Sequence, residues 1–279
     1  MPEGDTLFRI AATLQRALGG ARVTAFRSPE PLVENALALQ GPLDGLRVPL
    51  VEARGKNLLI HFEDGRVLRS HLRMSGSWHI YRAGEKWQRP LRQMRAELRV
   101  DNGFVAVLFN APIVELLTAA GLRRSDLRLL GPDATTDAFD QPEALRRLRA
   151  RPSLSLAEAL LDQTALAGIG NVIKSETLFR CRLDPFTPVG SLAEEALARL
   201  VADAHGLLLR NRGGGPRTTR DSLDGGRLWV YHRSGEPCFV CGETIRLRRV
   251  GAALRSTYYC SVCQRSAAER PLSPAGDQA

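Results

Sequence analysis

Four cysteines spaced Cys238-x2-Cys241-x18-Cys260-x2-Cys263 form the most specific chemical pattern in the chain. Two knuckles that each donate two thiolates make a closed tetrahedral zinc site of the zinc-ribbon kind, which is structural and leaves no position open for chemistry. Catalytic capacity must then lie elsewhere. Pro2 follows the initiator methionine, so cleavage of Met1 frees a secondary amine. Such an amine attacks an aldehyde-like carbon to give an iminium, with no side-chain nucleophile needed. Glu3 stands beside it. Lys56, in Arg54-Gly55-Lys56-Asn57, falls in an expected β-turn, and Gly168-Ile169-Gly170-Asn171 joins two expected helices. Backbone N–H groups at such a helix start suit a phosphate. Taken singly, these features also fit a solvated turn lysine, a helix corner and an unremarkable N-terminus, just as His71 and Met74 alone fit a satisfied histidine and a core methionine.

The charge narrows the partners. Of 39 basic side chains only Lys56, Lys86 and Lys174 are lysines, and the formal net charge is +9. Arginine stays protonated and suits fixed anion positions, whereas lysine can also move a proton. Residues 227–266 hold seven arginines against two glutamates. With four thiolates on one Zn²⁺, that module keeps a charge of about +3, which favours a ribbon laid on nucleic acid phosphates over a merely solvated one. Zinc-binding thiolates imply a reducing compartment, the cytoplasm. The N-terminus lacks a basic region followed by an apolar core, so no secretory signal is expected, and no apolar run approaches a membrane span.

The elements that must position these residues are expected in four segments. Residues 1–128 open with a short entry followed by a helix, together spanning 1–18, with Asp5 or Thr6 as the N-cap. β-like runs follow at 21–27, 46–53, 57–62, 66–72, 77–81, 94–100 and 104–110, which predicts an antiparallel β-sandwich. Residues 134–226 read as a helical domain, with helices at 141–150, 155–165, 171–182 and 191–211. Ser155-Leu-Ala-Glu158 has the form of a capping box and Asn171 of a helix cap. Residues 212–226 form a glycine-rich flexible loop, 227–266 the zinc module, and 267–279 a disordered tail. The fold class is α+β.

In order and spacing, Pro2-Glu3-Gly4, Arg54-Gly55-Lys56, Gly168-Ile-Gly-Asn171 and the terminal cysteine ribbon resemble the bacterial formamidopyrimidine-DNA glycosylase/endonuclease VIII family. The resemblance covers about residues 2–265. Pro2-Glu-Gly-Asp-Thr, Leu161-Asp-Gln163 and Phe109-Asn-Ala-Pro-Ile-Val-Glu-Leu-Leu are similar to its endonuclease VIII branch, particularly actinobacterial members. The resemblance implies a bifunctional DNA glycosylase and AP lyase acting on double-stranded DNA that contains oxidised bases or abasic sites, built on a β-sandwich, a helix-two-turn-helix (about 155–182) and one structural zinc. By motif match, Pro2 attacks C1′, Glu3 supplies a proton to open the sugar ring, Lys56 assists β-elimination, and Arg255 favours δ-elimination. His71 and Asn171 match positions that contact the DNA backbone. Arg73, Met74 and Ser75 match the loop that fills the gap left by base flipping, with Met74 as an apolar wedge. Lys174 reads as backbone-facing or solvated, outside the chemistry. The branch implies oxidised pyrimidines, a monomer and a nucleoid location. Oxidised-purine specificity, a non-catalytic damaged-DNA binder, and a zinc-ribbon transcription or translation factor are the competing readings.

Overall fold

The structure is a computed structural model that describes residues 2–222 and 226–265. Met1 and the expected tail at 267–279 lie outside the described residues.

Helix α1 (Gly4–Leu18) buries Leu7, Ala11, Leu14 and Leu18 on one face, a period that repeats each turn. Its N-cap is Glu3, not Asp5 or Thr6. Eight strands follow: β1 (Val23–Arg27), β2 (Leu50–Arg54), β3 (Asn57–His61), β4 (Val67–His71), β5 (Ser77–Arg82), β6 (Met94–Val100), β7 (Phe104–Phe109) and β8 (Ile113–Leu117). They form two antiparallel sheets, ordered β1-β6-β7-β5 and β2-β3-β4-β8. Leu58, Ile60 and Leu68 from one sheet and Leu98, Ala106 and Leu108 from the other share a core with α1. The run expected at 46–53 is strand only from Leu50; Arg47 makes an isolated bridge to Arg22. Pro49, which has no N–H to give a ladder, separates the two. Helix α2 (Pro31–Gln40) and strand β8 were not expected from the sequence.

After the short α3 (Ala119–Arg124), helices α4 (Gln141–Arg149), α5 (Leu156–Ala159), α6 (Asn171–Arg180) and α7 (Glu194–Arg210) pack around a second core that includes Leu156, Leu166, Ile173, Leu178 and Leu200. The Ser155–Glu158 capping box is present, but the helix it starts is one turn long and not the expected 155–165. Asp162 stops it by accepting from the Thr164 N–H and hydroxyl, a local bond that competes with helix continuation. Strands β9 (Arg246–Val250) and β10 (Arg255–Tyr259) form an antiparallel hairpin flanked by the cysteine pairs. Val172 and Phe179 of α6 join Tyr231, Cys238, Ile245 and Tyr258 in a third core, so α6 contributes to both the helical core and the zinc module. Among the described residues no helix is long and apolar enough to cross a membrane.

Candidate active site

Three distant glycine motifs meet at one point. The Gly4 N–H donates to the Gly168 carbonyl at 2.9 Å, and the Gly55 N–H donates to Asp133 Oδ2 at 2.5 Å. A Cβ at Gly4 would lie 2.1 Å from Thr135 Cγ2 and 3.0 Å from Gly168 Cα. The glycine is therefore required for backbone approach. This contact holds the N-terminus against the turn that starts α6.

Glu3 is fully buried. Its Oε1 accepts from Val172 N at 2.7 Å and its Oε2 from Ile173 N at 3.1 Å. The carboxylate thus caps α6 from 169 residues away, at the position where a local Ser or Asp side chain usually sits. Two expectations are corrected by this. Asn171 does not cap the helix, because the N-cap is Gly170 with no side-chain cap bond. The Val172 and Ile173 N–H groups of the helix start are not open to a phosphate, because Glu3 takes them. Gly170 is what admits the carboxylate: a Cβ there would lie 2.5 Å from Glu3 Oε1.

Pro2, Lys56, His71, Arg73, Met74, Asn171 and Arg255 line one cleft of about 470 Å³, together with Leu161, Gln163 and Gly170. Every expected non-metal site residue except the buried Glu3 therefore faces a single space, and Glu3 packs against Gly170, one of the residues that line it. Met74 is 72% exposed at the tip of the β4–β5 turn, beside Arg73 at φ 44°. An exposed thioether next to a left-handed residue has no packing explanation and presents an apolar tip to whatever enters. Asn171 is buried with its Oδ1 unbonded among the described residues.

Electrostatics give these groups distinct roles. Burial pushes His71 down to about 4, with Lys56 adding to the effect. It is neutral at pH 7, and its Nδ1 accepts from the Arg73 N–H at 3.1 Å. That bond leaves Nε2 carrying the proton, as a donor. Burial lowers Lys56 to about 8 against the opposing pull of Glu3, and Arg255 and Arg217 add to the lowering. Lys56 therefore carries its charge below pH 8 and loses it above. A phosphate entering the cleft favours the charged form, so binding above pH 8 takes up a proton. Affinity for duplex DNA carrying an uncleavable abasic analogue should fall as pH rises past 8, by up to about tenfold per unit. Fluorescence anisotropy from pH 6.5 to 9.5 checks this. Lys56→Met should bind more weakly at pH 7 and lose most of the slope.

The four cysteine sulfurs lie within 4.8 Å of one another. Cys238 and Cys263 Sγ are 3.8 Å apart, and Cys241 and Cys260 Sγ 3.4 Å. A Zn–S bond of about 2.3 Å requires a tetrahedral edge of about 3.8 Å, so the donor set fits zinc. The hairpin between the pairs exposes Arg246, Arg248, Arg249 and Arg255.

Several residues around the site were not found from the sequence. Arg217 donates to both oxygens of buried Asp5 and to Thr6 Oγ1 at 3.0 Å, and its Nη1 lies 4.0 Å from Glu3 Oε1. With Arg9 bonded to the Gly215 carbonyl, the glycine-rich loop is tied to the first turns of α1 at Gly215 and Arg217, where the sequence reads as a flexible loop. Lys174 is fully buried and not solvated; it donates to the Ser256 carbonyl and to Thr257 Oγ1, both at 2.8 Å. Burial pushes it down to about 7. Partners this remote in sequence leave no local signal. The only available sign was a lysine in a chain that has three.

Comparisons with known proteins identify the family and the fold. Residues 1–111 match the formamidopyrimidine-DNA glycosylase N-terminal domain, and residues 130–219 match the formamidopyrimidine-DNA glycosylase H2TH domain. The chain is 40% identical over 276 residues to a probable endonuclease 8 2 of Streptomyces coelicolor, covering 97% of this chain and 96% of the relative. It is 37% identical over 265 residues to a DNA-(apurinic or apyrimidinic site) lyase, Nei2, of Mycolicibacterium smegmatis, covering 95% and 99%. Its fold is similar to that of Lactococcus lactis Fpg in complex with DNA containing an abasic site, with a TM-score of 0.79, 23% identity, and coverage of 95% of this chain and 100% of that one.

Proposed function

Because the chain belongs to the formamidopyrimidine-DNA glycosylase/endonuclease VIII family, the DNA glycosylases and AP lyases of base excision repair, we propose that it removes oxidised bases, pyrimidines by preference, through an iminium at Pro2, and then cuts the strand by β- and δ-elimination. The observation that carries this reading is the convergence of Pro2, Lys56 and Arg255 on one cleft whose wall, at Gly170, is packed against Glu3.

The Pro2 nitrogen attacks C1′, and the damaged base leaves with its bonding pair and takes up a proton. Attack leaves a proton on the Pro2 nitrogen; the Glu3 carboxylate takes it up and gives it to the ring oxygen as the C1′–O4′ bond opens, which leaves an iminium. The iminium acidifies C2′–H. Loss of that proton expels the 3′ phosphate through the C3′–O3′ bond, with Lys56 at the phosphate as a charge or proton relay. Loss of the C4′ proton from the conjugated product then breaks C5′–O5′, with Arg255 holding the departing phosphate. Water hydrolyses the remaining iminium and frees Pro2. His71 and Asn171 hold the DNA backbone, and Arg73 and Met74 fill the vacated stack. Zinc, when bound, is held by Cys238, Cys241, Cys260 and Cys263 and supplies a fixed hairpin, not chemistry. Thiolates that must stay reduced support the cytoplasm as the compartment.

The opening Pro2-Glu3-Gly4 and the endonuclease 8 name of the Streptomyces relative support pyrimidine preference. A lesion panel tests it. Duplexes with 5-hydroxyuracil or thymine glycol should be processed at least about tenfold faster than duplexes with 8-oxoguanine, the scale on which a few pocket contacts discriminate. The products should carry a 3′ phosphate at a one-nucleotide gap. Faster 8-oxoguanine release would assign purines instead, and tight binding without cleavage would make the protein a damage binder.

A further inference from the structure

Lys174 takes no part in the steps above, yet it is among the largest fully buried side chains in the protein. Burying an ammonium is costly unless it is hydrogen-bonded, and its two 2.8 Å acceptors both belong to β10. One of them, the Ser256 carbonyl, is a single residue from Arg255. Lys174 stands three residues after Asn171 on α6, whose N-terminus is capped by Glu3. The next two side chains of α6 also reach the zinc module. Ser175 Oγ accepts from Tyr258 N at 3.4 Å, and Glu176 accepts the N–H groups of Trp229, Val230 and Tyr231 at 2.7 to 2.9 Å. Ser175 and Glu176 hold the module as a whole. Of these three side chains, Lys174 is the one that bonds the carbonyl next to Arg255, on a peptide that otherwise pairs only within the β9–β10 hairpin among the described residues.

We propose that Lys174 is a positioning residue that ties the strand bearing Arg255 to the helix capped by Glu3, and so sets how far strand scission proceeds from β- to δ-elimination. The inference rests on the Pro2 mechanism above. Its physical content is geometric. Arg255 is exposed at the first residue of β10, where a long side chain is free to swing. Fixing the neighbouring carbonyl to a rigid, buried helix limits where its guanidinium can sit, and small displacements of a phosphate clamp are costly in rate.

Abasic-site duplex labelled on the 5′ side resolves the two ends, an unsaturated aldehyde after β-elimination and a phosphate after δ-elimination. Lys174→Met should raise the ratio of aldehyde to phosphate at least about tenfold, while borohydride trapping at Pro2 and zinc content stay near wild type. Lys174→Arg, which keeps a donor, should restore most of the phosphate end. Arg255→Ala should give the same shift, and the Lys174→Met/Arg255→Ala double variant no further one, as for residues acting through one another. Should Lys174→Met fail to fold, Thr257→Val removes one of its two acceptors and should shift the ratio the same way by a smaller factor. An unchanged ratio in folded Lys174→Met, or in Thr257→Val when it stands in, overturns the inference. So does an equal loss of trapping and of both products, which marks a purely structural lysine. A wild-type chain that traps abasic DNA but never forms the phosphate end also overturns it and leaves the Pro2 reading intact. Absence of trapping overturns both.

Discussion

Acylating the Pro2 nitrogen, by acetylation or by retention of Met1, should reduce strand cleavage at an abasic site by roughly 10³-fold. The nucleophile in this account is a secondary amine, and an amide nitrogen has no available pair. Retained Met1 offers a primary amine, but displaced by about 3.8 Å along the chain. Reaction needs the two atoms within about 3.5 Å of each other, so the displaced amine is poorly placed. The contact that locates Pro2 is Gly4 N–H to Gly168 O, and it survives acylation, so folding and zinc content should not change. Gel analysis of cleavage by protein of verified N-terminal mass checks this. Undiminished cleavage by the acylated chain would move the nucleophile elsewhere, and Lys56 is then the first candidate because burial lowers it to about 8.

The second large effect separates base removal from strand cutting. Glu3→Gln should slow release of an oxidised base by about 10²–10⁴-fold, the range for loss of a positioned proton donor. Cleavage of a preformed abasic site should fall far less, because its sugar is already partly in the open aldehyde form. The glutamine keeps the shape but presents an N–H₂ to one of the Val172 and Ile173 N–H groups that the carboxylate now satisfies. A loss of about 1 kcal/mol of stability is therefore expected, as for a removed helix cap. Gly170→Ala attacks the same arrangement from the other side. Its methyl would lie 2.4 Å from Glu3 Cδ, so the carboxylate must leave its seat, and the same split between excision and lyase activity should follow. Single-turnover kinetics on matched lesion and abasic duplexes measure both. Normal excision by Glu3→Gln would remove Glu3 from the mechanism.

Local pattern and chemical spacing were legible in the sequence, and contacts between distant segments were not. The cysteine pairs and strands β3 to β7 were readable because their signals lie within a few residues. Strand β8 (Ile113–Leu117) is apolar at every position but Glu115, so its inward Val114 and Leu116 do not stand out as an alternation. Helix α2 begins with a proline at its first turn, a fair start signal. However, Leu32 and Leu39 are exposed while Val33 and Ala36 are buried, so no apolar face stands out. At the site, the residue types that line the cleft were nameable in advance, while the reasons for the glycines were not. Gly4 and Gly170 are there for backbone approach and for a carboxylate arriving from the far end of the chain. The cap on α6 was assigned to Asn171 because local side chains usually fill that position. Of the two readings of Lys174, backbone-facing or solvated, the solvated one fails: the side chain is buried on acceptors more than 80 residues away.

The central claim is a covalent bond between the Pro2 nitrogen and C1′ of the damaged nucleotide. Its most direct measurement is borohydride reduction during reaction with abasic duplex DNA, followed by proteolysis and mass mapping of the adduct, on protein shown to begin at Pro2. The account predicts one adduct, on the peptide that starts with Pro2-Glu3-Gly4. An adduct confined to the Lys56 peptide, or no adduct while the strand is cut, would contradict it.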